Sequence, residues 1–565
     1  MKRLVFLLPI LVIIYTSLPI FSADFFAVHD DQQVARIFLM KESLIAGQFP
    51  VRWVNHLGFG YGYPLFIFYP PLIYYLGAIF NLLGLSLILS VKMLIFLSFT
   101  LSVISMYLLL SRFYSRQISI ISASVYILLP YRALDVYVRG ALAEAFAFVF
   151  LPIVLLYSYQ ILIKQTRKNF ILLALSFAGL VLTHTLTAIS FLIILLGWIM
   201  AVFIWKKNFL GLAQLVVSLG IGGGISAFSS IPSILEKRFT LVDNILLTEL
   251  ADYRIHFVYI RQLWDSKWGY GGSLPELNDG MSFEIGKTII ILLGILLTIL
   301  LVKLFKKKKI YFFEIIPLLI IIPIIMMTKY SKLVWVIFPP LAFIQFPWRF
   351  LTYVTLFAPF IAASVSTQIR KKYLRLSSLI LVIVLFLLIL ESLGKFQSKE
   401  FRKFSDKDYL SLERLDWATS RSSFEYIPKG VKTKISQDQT TIPDISEQNL
   451  PKTYAEFING SGKIENLIFE PGNQKYKITA PDYVRIEFNT FDFPGWVAKI
   501  NGEVVSINSQ NNLRLITLDI PKGESIVELN FTRTRIRLIS EIISIVCVII
   551  IIGLSIISKL KNVKH

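Results

Sequence analysis

The chain has 565 residues, 55% of them hydrophobic and only 16% charged, and many apolar runs exceed the roughly 18 residues needed to span a bilayer. This composition excludes an ordinary soluble domain and describes a polytopic membrane protein. The net charge of +21 does not argue for a nucleic-acid partner, because the basic residues cluster beside apolar segments, where they set topology and attract anionic membrane lipids.

Those clusters are MKR at the start, KQTRKN at 164–169, WKKN at 205–208, KKKK at 306–309, RKKY at 370–373 and KLKNVKH at the end. With basic loops placed in the cytoplasm, spans fall near 4–22, 86–111, 115–131, 140–163, 169–184, 186–205, 209–229, 286–304, 311–327, 350–369, 376–393 and 536–558. This makes about twelve crossings with both termini inside. Residues 4–20 have the outline of a cleavable leader, with FSA at 21–23 after them. A retained helix, however, keeps the later charge map consistent. The single cysteine, Cys547, lies in the last apolar run, which rules out a disulfide framework or a cysteine metal site within one chain.

The first outer segment, 23–85, carries His29 and the acidic pair Asp30 and Asp31 just outside the membrane. Carboxylates beside lipid are costly and mark function. From Asp30 or Asp31 to Gly47 the spacing of Val34, Ile37, Phe38, Lys41, Leu44 and Ile45 predicts a helix lying on the membrane surface, apolar face down. Its bland account is that an aspartate caps the helix and sits at the positive end of its dipole. The run GFGYGYPLFIFYPP follows, aromatic and glycine-rich, suited to hold a flat ring close to the backbone. Residues 70–84 are short for a crossing and start at Pro70-Pro71, so they are read as a second juxtamembrane helix.

A second outer loop, 230–285, contains Glu236, Lys237, Arg238, Asp265, Lys267 and WGYGGSLPELNDG. It suits either a lid over a site or a solvated connector. Gly220, Gly222, Gly223 and Gly224 lie in mid-span, where they favour close helix packing over a phosphate loop because no strand precedes them. The stretch 394–535 reads as an extracytoplasmic domain. Residues 405–424 predict a short surface helix and connector. From about 430, alternating runs such as YVRIEFNTF, GWVAKING, LRLITLDI and SIVELNFT, separated by Asn501-Gly502 and Pro521-Lys522-Gly523, predict an antiparallel β-sandwich. The fold class is thus mainly α and polytopic, with a transmembrane domain at 1–393, the β-rich domain at 394–535, and a final helix with basic tail at 536–565.

HDDQQVAR, GQFPVRW, YGYPLFIFYPP, RGALAE at 139–144, LTHTLTA at 182–188, QFPWRFL at 345–351, DFPGWVAKINGE and LDIPKGESIVELNF together resemble the bacterial membrane proteins labelled 6-pyruvoyl-tetrahydropterin synthase-related. The order of the first-loop features also resembles the GT-C superfamily of membrane glycosyltransferases, notably the protein O-mannosyltransferase and aminoarabinose transferase branch. The label is not an activity: the soluble pterin synthase needs a histidine-rich zinc site, whereas His29, His56, His184, His256 and His565 are scattered without metal-ligand spacing.

The resemblance implies a multi-pass protein of the bacterial plasma membrane that transfers a sugar from a polyprenyl-phosphate donor to a glycan, lipid or protein acceptor at the outer face. Asp30 is then the general base, with Asp31 second, and a loop carboxylate of this kind either deprotonates the acceptor or helps hold a divalent metal. Arg139, His184 and Arg349 become the partners of the leaving phosphate, for which an arginine fork is well suited. Glu144, a turn deeper than Arg139, orients it or positions the acceptor, and His29 supports the acidic pair. Each has a plain alternative: Arg139 snorkelling to headgroups, Glu144 a protonated carboxyl buried in the bundle, His184 a structural hydrogen-bonder, and Arg349 with Trp348 an interface anchor. The rival functions are a flippase for a lipid-linked saccharide and a non-catalytic scaffold of envelope glycan assembly.

Overall fold

The computed structural model describes residues 6–246, 252–368, 374–436 and 440–563; the basic stretches at 1–3 and 370–373 and the final His565 lie outside them. The chain is mostly helical, with a strand-rich region near its carboxyl end. The helices used below are α1 (Leu7–Thr16), α2 (Gln33–Ile45), α3 (Leu72–Leu82), α4 (Leu87–Leu110), α5 (Arg116–Leu128), α6 (Leu142–Ile163), α7 (Arg167–Thr183), α8 (Thr185–Lys206), α9 (Phe209–Ile225), α10 (Ala227–Glu236), α11 (Lys287–Phe305), α12 (Leu351–Thr367), α13 (Leu374–Ser392) and α14 (Arg535–Val563).

Among the described residues, six helical segments are long and apolar enough to cross a membrane, and nine if each of three bent pairs counts as one span. The sequence reading drew 115–131, 209–229 and 311–327 as straight spans, but each is bent. Arg116–Leu128 meets Pro130–Arg139 at 53°, Phe209–Ile225 meets Ala227–Phe239 at 73°, and Phe312–Met326 meets Lys329–Ile337 at 87°. The first bend has a plain cause: Leu129, which precedes Pro130, is extended at φ −69°, ψ 149°, as residues before proline tend to be. Burial sorts the spans. The segment Pro347–Thr367 is 89% buried and α6 72%, against 28% for α11 and for Arg535–Ile557. The first two therefore form the centre of the bundle, and the last two turn most of their surface outward to lipid.

Helix α4 shows how the ends are fixed. Ser86 Oγ accepts from Leu89 N, and the Asp406 carboxylate, from far along the chain, accepts from Leu87 N at 2.8 Å and Ile88 N at 3.1 Å. Orphan amides are satisfied and an anion sits at the positive end of the dipole. Helix α2 departs from expectation. It is capped by Gln32, and neither aspartate makes a side-chain capping bond. Nor does it lie on a surface, because Val34, Ala35, Arg36, Ile37, Leu39, Met40 and Ser43 are all buried. It packs on α3 so closely that a Cβ on Gly77 would stand 2.5 Å from Ile37 Cδ1.

The strand-rich region comprises β1 (Ala455–Asn459), β2 (Lys463–Glu470), β3 (Asn473–Ala480), β4 (Val484–Phe491), β5 (Trp496–Ile500), β6 (Glu503–Val505), β7 (Leu515–Ile520) and β8 (Gly523–Phe531). One sheet runs β6-β5-β8-β3-β2, the other β7-β4-β1, with all neighbours antiparallel. Alternate residues point inward, as with Val484, Ile486 and Phe488 on β4, which gives the two sheets one apolar core. This region docks on the first loop, where Trp53 meets Trp496 and Phe531 at 5.2 and 5.1 Å between ring centroids. Before it, Asp406–Tyr409 and Glu413–Thr419 are short helical turns. After it, α14 returns to the bundle and is tied there by Arg537 with Glu236 at 2.9 Å and Arg52 with Glu541 at 3.1 Å. A Cβ on Gly224 would lie 2.3 Å from Cys547 Sγ, so one of the mid-span glycines is a packing point.

Candidate functional site

The bent end of the α5 pair delivers Arg139 to the first loop. A π-helical turn, Leu134–Arg139, ends at Gly140 in the left-handed region, φ +69°. His29 N donates to Val138 O at 3.0 Å and Asp30 N to Arg139 O at 2.8 Å. Gln33 Nε2 adds bonds to Gly140 O at 3.0 Å and Asp30 O at 3.3 Å. Only glycine fits here, since a Cβ would stand 2.5 Å from Val28 Cγ2. Two successive main-chain hydrogen bonds from the turn at 29–30 to the end of the π-helical turn thus set Asp30 beside Arg139.

Arg139 is heavily engaged. Its Nη1 donates to Asp135 Oδ1 at 2.7 Å, Glu144 Oε2 at 2.9 Å and Tyr131 Oη at 3.2 Å, and the guanidinium lies 4.8 Å from the centroid of the Trp348 ring. Glu144 Oε1 also accepts from Tyr131 Oη at 2.6 Å and Thr352 Oγ1 at 3.1 Å. Two carboxylates against one arginine make this a buried charge network whose members hold each other in place. Arg349 is different: its Nε and Nη1 are buried without a hydrogen-bond partner among the described residues. Buried charged donors are expensive to leave unpaired; Arg132 Nε and Nη2 are in the same state, but that guanidinium lies over the Phe99 and Phe148 rings. His184 caps α8, with Nδ1 accepting from Thr187 N at 3.3 Å, which assigns the proton of the neutral ring to Nε2.

These groups share one cavity of about 430 Å³, lined by Asp30, Arg139, Glu144, His184 and Arg349 among others. The lining also includes the apolar Leu186, Ile189, Ile234 and Phe343, of which Ile234 is 58% exposed. The site residues read from the sequence divide here. Asp31 does not line this cavity: its carboxylate accepts from Tyr409 Oη at 3.0 Å and Arg414 Nη2 at 2.6 Å, with Arg402 Nη1 at 3.7 Å. Burial pushes that carboxyl up, opposed by Arg414, Tyr409 and Arg402. His29 also stands apart, Nε2 lying 2.9 Å from Tyr270 O, so the loop at 230–285 reaches the segment that carries the acidic pair. Among the described residues no group of three or more His, Cys, Asp or Glu is arranged to hold a metal ion. With both Asp31 oxygens engaged, the acidic pair does not fit one.

The sequence reading missed the opposite wall: Gln32, Arg36, Tyr69, Ser422, Ser423, Glu425 and Tyr426. For Arg36 there was a signal, a cation inside an otherwise apolar helical face. Glu425 had none, because nothing local distinguishes it in a solvated-looking stretch. Burial pushes the Glu425 carboxyl up.

The family model described as 6-pyruvoyl-tetrahydropterin synthase related domain, membrane protein, matches residues 66–398. Arg139, Glu144, His184 and Arg349 lie inside that span, Asp30 and Glu425 outside it. No curated protein matches the chain.

Proposed function

We propose that this chain, which belongs to the 6-pyruvoyl-tetrahydropterin synthase related family of membrane proteins, is a GT-C-like glycosyltransferase that moves a sugar from a polyprenyl-phosphate donor to an acceptor hydroxyl. The observation that carries the reading is Arg349, a half-buried cation with two buried nitrogens unpartnered among the described residues, sharing a cavity with Asp30 and several apolar side chains. In the reaction, Asp30 takes the acceptor proton as the acceptor oxygen bonds to the anomeric carbon. The bond from that carbon to the phosphate oxygen breaks, and the phosphate leaves with its electron pair onto Arg349 and the Nε2–H of His184. Arg139, held by Asp135 and Glu144, positions Asp30 through the main-chain pairing and adds positive charge.

The proposal carries a topology. The nine candidate spans become twelve if α1, α7 and α13 also cross, which leaves both termini in the cytoplasm of a bacterial cell and the cavity, with residues 394–535, at the outer face of the plasma membrane. Glycan, lipid or protein would serve as acceptor. The rival reading is transport of a lipid-linked saccharide without bond formation, and the three bent helix pairs favour it. Transfer of radiolabelled sugar from polyprenyl-phosphate donors, in membranes holding wild type or Asp30→Asn at matched levels, separates the two. Transfer that collapses in the variant supports the enzyme; no transfer from any donor by folded wild type refutes it.

A further inference from the structure

We infer that the wall of the cavity built from Gln32, Arg36, Ser422, Ser423 and Glu425 is a subsite for an uncharged sugar ring, the one carried by the donor. The inference rests on the glycosyltransferase reading and adds to it the class of sugar and the residues that hold it.

The wall is assembled from two distant parts of the chain. Gln32 and Arg36 stand one turn apart across the start of α2. Ser422, Ser423 and Glu425 come from the connector that precedes the sheets. Gln32 Nε2 donates to Ser422 Oγ at 2.9 Å and to Ser422 O at 3.1 Å, and Arg36 Nη2 to Ser423 Oγ at 3.4 Å. These bonds lock the two parts together and leave capacity unused. Arg36 Nε is buried with no partner among the described residues, and the only side-chain donor to Glu425 Oε1 among them is Ser423 Oγ at a long 3.4 Å.

A carboxylate that accepts only weakly, beside a guanidinium with a spare donor, matches vicinal hydroxyls, each of which donates and accepts. The aromatic rings point the same way. Tyr69 lies 3.9 Å beneath Arg36, and Tyr426 is stacked on Phe68 at 4.8 Å; both line the cavity. One face of each ring is thus taken, by Arg36 and by Phe68, and what the pair offers a ligand is its remaining aromatic surface beside the polar groups. Charge gives neither an acidic nor a basic sugar a net gain at this wall, since each would meet one of Arg36 and Glu425 favourably and the other unfavourably, whereas the hydroxyls of an uncharged ring pair with both without adding a charge.

The test uses the full chain in lipid nanodiscs and measures binding of undecaprenyl phosphate, of the same lipid bearing a neutral hexose, and of the same lipid bearing a hexuronic acid. Wild type is expected to bind the hexose-bearing lipid about tenfold or more tighter than the bare lipid, the effect of one added charge-assisted bond, with no such increment for the uronate. Glu425→Gln keeps the affinity for the bare lipid and loses the increment. Ser423→Ala loses about threefold of it, and serves alone if Glu425→Gln does not fold. An increment that survives in Glu425→Gln, an equal loss for bare and hexose-bearing lipid, or an equal gain for the uronate overturns the subsite. Failure of wild type to bind even the bare lipid overturns the donor reading itself, a separate outcome.

Discussion

Gly140→Ala tests the main-chain pairing that sets Asp30 in place. The residue sits at φ +69°, where a side chain costs about 1–2 kcal/mol, and the new Cβ would lie 2.5 Å from Val28 Cγ2 and 2.8 Å from Val28 Cβ. Rotating Val28 relieves the first contact and leaves the second. Ordinary contact begins near 3.5 Å, so residues 28–30 must retreat by about 0.7 Å. Overpacking of this kind costs about 1–3 kcal/mol, and together with the backbone term the loss is about 3 kcal/mol. Because the retreating segment carries Asp30, transfer is expected to fall about a hundredfold, the usual cost of misplacing a catalytic group by an ångström. Thermal unfolding in detergent and the sugar-transfer assay read the two effects. Adding Val28→Gly restores much of both, since it removes the Cβ in the way, whereas adding Val28→Ala does not. Wild-type stability and transfer in Gly140→Ala would refute the argument, as would rescue by Val28→Ala.

Two further outcomes concern the frame around the site. Glu236→Ala leaves Arg537, fully buried, without its carboxylate, and is expected to cost about 3–5 kcal/mol in thermal unfolding; Arg537→Met in the same chain returns most of it, and a variant indistinguishable from wild type would show the pair to be inert. His56 Nδ1 donates to Asp416 Oδ1 at 3.2 Å. Burial lowers its affinity for a proton, but the hydrogen bond and charge of Asp416, with Glu42 behind them, outweigh burial and raise its pKa above 6.5. A raised histidine stabilises fully below its unfolded value and loses that contribution as pH rises through the folded one. The melting temperature should therefore fall from about pH 6 to about pH 8 more steeply in wild type than in His56→Gln; parallel slopes would remove His56 from the account.

What could be read from the residues alone follows from where charge is expensive. Asp30, Arg139, Glu144, His184 and Arg349 were visible because an ionisable group at the edge of an apolar run demands an explanation. The structure gathers those five around one cavity. Arg36 and Glu425 were not assigned to it, because their pairing depends on a contact between α2 and a connector that follows nearly all the spans, and no local pattern encodes that. The strands from 484 to 531 were legible from alternation and turn residues, whereas the bends at Leu129, Ser226 and Met327 are invisible to hydropathy, which measures apolar length and not direction. For α2 the period was readable but the burial was not: the apolar stripe of a surface helix and one side of an enclosed helix look alike until α3 is laid across it.

The ion pairs that tie α14 to the bundle bear on how the protein is made. Arg52 and Glu236 are synthesised early, while Arg537 and Glu541 emerge only after the sheets have been made. Until then Arg52 and Glu236 have each other's opposite charge nearby but lack the direct ion pairs that the last helix brings. Arrival of the last helix neutralises both charges at once. A chain stopped before it would lack both ties between the bundle and the last helix, even with every residue of the cavity already translated.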